Sequence, residues 1–178
     1  AGVDFDVAVF AASLGMVPIV CSDLVEQSPR WQAMVDNIGT VATKAFQVWL
    51  GEDEESLGWS HGAGVTLSGF AAPFDTWASM SHLIEHEDWP PGEVASIAYF
   101  CSSLDDSTAP DEAADAVRSQ AENFLDAHVG AIWPNAVDGD GRFRWELLRG
   151  DTDAVGAERM ATQYWRANVD PSDRYVQS

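Results

Sequence analysis

The alternation of apolar and polar positions predicts a sheet at the centre of this chain. Residues 65–84 and 94–103 are rich in small, aromatic and β-branched side chains and are interrupted by glycine and proline. That composition disfavours helix and predicts strands near 65–72, 76–83 and 94–103. Residues 43–50 alternate around Phe46, Val48 and Leu50 and predict another strand; residues 142–148 and 163–167 predict two more. Residues 3–12 alternate and then run apolar into Ala11-Ala12-Ser13-Leu14-Gly15. This reads as a buried strand delivering a small-residue turn at its carboxyl end, where α/β sheets place ligands.

Two stretches change to helical spacing. Ser28 suits an N-cap and Pro29 the first helical position, Trp31, Met34, Val35 and Ile38 share a face, and Gly39 suits the C-terminal cap, predicting a helix over 28–38. Residues 110–133 form the longest helical pattern: Ala113, Val117, Ala121, Phe124, Leu125, His128, Val129 and Ile132 lie on one side, with acids gathered near the amino end. A short helix over 153–161 and a turn over 170–173 follow. The expected class is α+β, a mixed and largely antiparallel sheet flanked by helices.

On the predicted central strands, Ser68, Gly69, Ala71, Ala78, Ser79 and Ser81 are mixed with Phe70, Phe74, Trp77, Tyr99 and Phe100. Small beside large leaves room along one face. The pattern reads either as the wall of an apolar ligand pocket or as ordinary core.

Charge narrows the partners. The 178 residues carry nine basic and 29 acidic side chains, a net charge of -20, and Lys44 is the only lysine. That balance argues against a nucleic-acid or anionic-membrane surface. The acid is spread along the chain, with local runs at Glu52-Asp53-Glu54-Glu55 and from Glu85 to Asp88, and reads as a solvated surface. Cys21 and Cys101 stand far apart, and no apolar run approaches the ~18 residues of a membrane span. The expected setting is the cytoplasm.

Three motifs invite chemistry. His82-Leu83-Ile84-Glu85-His86 matches the H-x-x-E-H pattern in which two histidines bind zinc and the glutamate acts as base. That pattern needs a helix, whereas Trp89-Pro90-Pro91-Gly92 follows and a predicted strand precedes, so a zinc hydrolase is a remote reading and no metal is expected. Asp138-Gly139-Asp140-Gly141 places Leu147, not glutamate, at the closing position of a calcium loop and reads as a turn. Gly62-Ala63-Gly64 lacks the third glycine of a dinucleotide fingerprint. The residues themselves reach no further than an acidic α+β ligand-binding domain.

The wording of the chain adds a resemblance. Asp4 to Gly15 resembles the returning strand of FAD-binding oxidoreductases, an apolar run closing in a small-residue turn, with Ser13 where threonine is frequent. Gln163-Tyr164-Trp165-Arg166-Ala167 and Pro171-Ser172-Asp173-Arg174-Tyr175-Val176 resemble the stretch by which flavin-containing amine oxidases and phytoene-desaturase-like proteins return from substrate domain to cofactor. Residues 43–50 and 74–87 are similar to the substrate domain of bacterial members. The resemblance implies a fragment: a remnant of the FAD-domain strand in 1–15, a substrate-binding domain in 16–162 and a return segment in 163–178. It implies FAD in the parent protein but none held by this chain, which lacks the Gly-x-Gly-x-x-Gly turn that grips pyrophosphate. Ser13, Gly15 and Tyr175 are then the cofactor-side candidates, and Phe70, Trp77 and Tyr99 the wall for an apolar or amine-like substrate. A surface for the missing FAD domain, and with it self-association, is expected. The other reading is a stand-alone ligand-binding or protein-interaction module.

Overall fold

The computed structural model describes residues 4–105 and 108–176. In chain order the elements are α1 (Val17–Val20), α2 (Ser22–Gln27), α3 (Pro29–Asn37), β1 (Thr40–Val41), β2 (Thr43–Leu50), β3 (Thr66–Leu67), β4 (Thr76–Ser79), β5 (Ser96–Ser103), α4 (Pro110–Ala127), β6 (Tyr164–Asn168) and β7 (Tyr175–Val176). They divide into two compact units, Ala1–Thr43 with Asn168–Ser178, and Lys44–Ala167. The class is α+β, as expected.

The second unit is built on a five-stranded sheet in the order β3-β4-β5-β2-β6. β3 and β5 both pair antiparallel with β4, with Trp77 opposite Phe100 and Ala78 opposite Tyr99. Alternation along β2 turns Lys44, Phe46, Val48 and Leu50 into the interior. Phe46 stacks on Phe100 at a centroid distance of 4.7 Å and meets Phe74 edge-on, also at 4.7 Å. Over this layer α4 lays Ala113, Val117, Ala121, Phe124 and Leu125, all buried and all on one helical stripe. The Phe124 ring lies 5.3 Å from Phe100 and 5.6 Å from Phe74. Each such ring contributes about 1.5–3 kcal/mol through burial, and favourable edge or stacked geometry adds about 0.5–1.5 kcal/mol per pair.

The first unit is different in kind. It holds α1 to α3 and the β1–β7 pair, in which Thr40 faces Val176 and Val41 faces Tyr175. α3 starts as the sequence predicts, with Ser28 in extended backbone at the N-cap and Pro29 at the first position, but it ends at Asn37 with Ile38 as cap. Its apolar stripe is not buried. Among the described residues of this unit only Val17 and Ala42 are core, whereas Phe5, Val7, Val9, Ile19, Val20, Leu24 and Ile38 are exposed.

Several expected elements are shorter or absent. The strand predicted within 3–12 is not formed over residues 4–12, because no other described strand pairs with it; Val3 and earlier residues lie outside the described chain. The strands predicted over 65–72 and 76–83 shrink to β3 and β4, with a lone bridge between Ala71 and Phe74. Ser81–His86 is instead a 3-10 helix. Residues 142–148 make only the bridges Leu50 to Leu148 and Val137 to Phe143, and Trp145–Leu147 is 3-10. There Arg144 and Arg149 curl the chain by donating to the carbonyls of Asn135 and Glu146, at 2.9 and 2.7 Å. The helix predicted to 133 ends at Ala127, and a 3-10 turn at Val129–Ala131 holds Gly130 while Trp133 enters the core. The predicted helix over 153–161 is a 3-10 helix at Gly156–Thr162.

Because Phe100 touches Phe46, Phe124, Trp77 and Trp133 together, Phe100→Ala is expected to cost about 3–5 kcal/mol, read from the denaturant midpoint at unchanged slope.

Candidate functional site

A cavity of about 510 Å³ opens beside the acidic loop that follows β2, lined by Asp53, Glu54, Glu55, Gly58, Trp59, Ser60, Gly62 and Ala63. The loop is shaped by its own short bonds. The Asp53 carboxylate accepts from the Ser56 amide at 2.7 Å, and the amides of Leu57, Gly58 and Trp59 donate back to the carbonyls of Asp53, Glu55 and Glu54. The Ser56 amide holds the Asp53 carboxyl below the usual range. Leu57, fully buried, pins the loop to the core, and Asn135 bonds both Ser56 and Leu57. Gly58 has φ 99° and lies against the Pro134 ring, so a side chain there meets both strain and a clash.

Glu54 is the one acid of this run that turns inward, at 9% exposure. Its Oε1 accepts from the hydroxyls of Ser79, at the end of β4, and of Ser81, the latter at 2.9 Å. Ser81 Oγ in turn accepts from the Ile97 amide at 3.2 Å, so the carboxyl group is tied to the strand β5. This arrangement explains the local fold: the Ser81 hydroxyl serves Glu54 and Ile97, and the chain turns into 3-10 helix there. Trp59 stands beside it with its indole N–H donated to Gly62 O at 2.9 Å and its ring edge-on to Trp77 at 4.9 Å.

A second inward polar group lies on the sheet. Lys44 Nζ donates to Gln120 Oε1 at 2.7 Å and sits 5.2 Å from the Phe74 ring centroid. Burial pushes its amine below the ordinary lysine value, and Asp75 acts in the opposite sense. Cys101 is pushed up by burial and then by the negative charge of Asp75, so its thiol is a poor nucleophile.

The residues expected to wall a substrate pocket are not brought together. Trp77 is fully buried among Trp59, Phe100 and Trp133. Tyr99 pairs with Ala78 and therefore projects from the opposite face of the sheet to Trp77 and Phe100. Phe70 alone lines a cavity, of about 400 Å³, with Asp126, His128 and Val137. On the cofactor side, Ser13 and Gly15 do lie together, against the returning chain. Ser13 Oγ donates to Ser172 O, and Gly15 packs so tightly on Pro171 O that a Cβ has no space. The backbone of Tyr175 pairs with Val41, and its side chain lies outside the described residues. The Ser13 hydroxyl and the gap at Gly15 are both taken up by the chain itself.

The H-x-x-E-H residues fall on the short 3-10 helix, with His86 3.5 Å from Glu85, and among the described residues no group of three side chains is placed to hold a metal ion. Asp138 to Gly141 is the turn expected, its Asp138 carboxylate accepting from the amides of Asp140 and Arg142 at 2.9 Å each. The burial of Glu54 and the place of Trp59 escaped the sequence reading, which took Ser79 and Ser81 only as small residues along a strand: nothing in the acidic run marks the middle glutamate as the buried one, although Leu57 and Trp59 just after it signal a loop folded onto the core.

Lys44→Met carries a pH test. With its folded value lowered, Lys44 adds a cost that is complete below that value and vanishes above the ordinary 10.5. The native protein is expected to gain stability as pH rises toward 10.5, and Lys44→Met to lack that slope, in chemical denaturation series from neutral to alkaline pH.

Compared with family models, curated proteins and solved structures, the chain matches none.

Proposed function

We propose that this chain is the substrate-binding part of an FAD-dependent, amine-oxidase-like oxidoreductase of the cytoplasm, acting on an apolar or amine-like small molecule. The observation that carries the reading is the first unit. Phe5, Val7 and Val9 are 58, 78 and 87% exposed in a segment of strand-like composition that no described strand pairs, and α3 leaves its apolar stripe only half-buried, with Ile38 beyond it exposed. Exposed apolar side chains of this number and continuity call for a covering body. Of the segments that resemble crossings between substrate and cofactor domains, Asp4 to Gly15 and Pro171 to Val176 also meet in this one unit, through Ser13 with Ser172 and Gly15 with Pro171. In this reading the cofactor is held by the covering body, and this chain supplies substrate contacts and excludes water.

FAD, once bound to that body, supplies hydride acceptance; the chain's own task is orientation. Free Cys21 and Cys101 suit a reducing compartment. Without its covering body the chain self-associates through the exposed flank, and its acidity leaves it without affinity for nucleic acid.

The reading frame around the chain provides the first check, since a Gly-x-Gly-x-x-Gly strand–helix unit is expected ahead of it. The longer protein is expected to retain FAD, and Val7→Asp with Val9→Asp to lower its flavin content while making the isolated chain more monomeric in size-exclusion chromatography. A stand-alone gene, or stoichiometric FAD on the isolated chain, overturns the proposal.

A further inference from the structure

We infer that the cavity beside Glu54 is a binding site for an organic cation, specifically an alkylammonium group, and that Glu54 Oε2 is its acceptor. This stands apart from any flavin, because none of the lining residues belongs to the segments that resemble cofactor contacts. Glu54 is nine-tenths buried, and both of its hydrogen bonds, from Ser79 and Ser81, go to Oε1. Oε2 has no partner among the described residues, and Glu54 is one of the residues that line the cavity. No ion pair among the described residues includes Glu54, and the chain's only ammonium side chain, Lys44, is committed to Gln120.

A buried acceptor with half its capacity unused favours a donor that brings positive charge, because a charge-assisted bond in a low-dielectric site offsets the cost of withdrawing the carboxyl group from water. The remaining lining fits the same ligand. The indole N–H of Trp59 is spent on Gly62 O, so the wall offers an aromatic ring, with the Ser60 hydroxyl as its neutral side-chain donor. An aromatic ring beside a carboxylate suits an ammonium on an apolar stem. Asp53 and Glu55 at the rim, on a chain of net charge -20, raise the local concentration of cations. The volume, about 510 Å³, accommodates a small amine or one long side chain.

Isothermal titration of the purified chain tests this, with benzylammonium chloride and N-acetyl-lysine amide as probes and benzyl alcohol as the neutral control. At least one ammonium probe is expected to bind one-to-one with a Kd below about 1 mM, and benzyl alcohol not to bind. Glu54→Gln, which keeps the shape, is expected to weaken binding roughly tenfold or more by removing the charge-assisted bond. Trp59→Leu weakens it too, and decides the matter if circular dichroism shows that Glu54→Gln does not fold. Binding of benzylammonium alone supports the site with a free amine as ligand, and binding of the lysine derivative alone supports it with a partner's basic side chain. Failure of both probes, equal binding of benzyl alcohol, or unchanged affinity in a folded variant overturns the assignment.

Discussion

The stacking of Phe46 on Phe100, closed from above by Phe124, is the contact on which the second unit depends. It joins neighbouring strands β2 and β5 on one side and the longest helix on the other, so sheet and helix cannot separate without exposing all three rings. Trp77 and Trp133 extend the same layer toward the acidic loop. There the apolar interior meets its polar exception, the Glu54 carboxyl group, whose two seryl partners stand at the end of β4 and just beyond it.

The elements legible in the sequence are those whose apolar period is also their burial period. β2, β5 and α4 bury the residues that their alternation or helical stripe selects. Where the pattern fails, a tertiary demand overrides it. Residues 65–84 have strand composition, but Gly69 adopts φ 73° and Ser81 is drawn to Glu54, so the two long strands become two short ones and a 3-10 helix. Residues 4–12 have strand composition without a strand to pair with, and a strand is a property of two segments, not of one.

The site was less legible than the fold. Large rings beside small residues describe an interior as well as a pocket, and Trp77 belongs to the interior. The strand register assigns Tyr99 and Trp77 to different faces, which residue type does not disclose. Glu54 sits between Asp53 and Glu55, both exposed, and only the positions of Ser79 and Ser81, some 25 residues onward, set it apart. The two units also differ in how finished they are: Lys44–Ala167 encloses its aromatic layer, whereas the described residues of Ala1–Thr43 with Asn168–Ser178 leave Phe5, Val7, Val9, Phe10, Ile19, Val20, Leu24 and Ile38 exposed.

The burial of Lys44 leaves the folded surface without a lysine. Reagents and enzymes that read a primary amine on a side chain, whether acylating agents, ubiquitin ligases or lysine-directed proteases, find their only target held against Gln120 beneath α4. Acylation of Lys44 then reports the lifting of the helix from the sheet, and its rate measures the local opening free energy of that contact in the otherwise native protein.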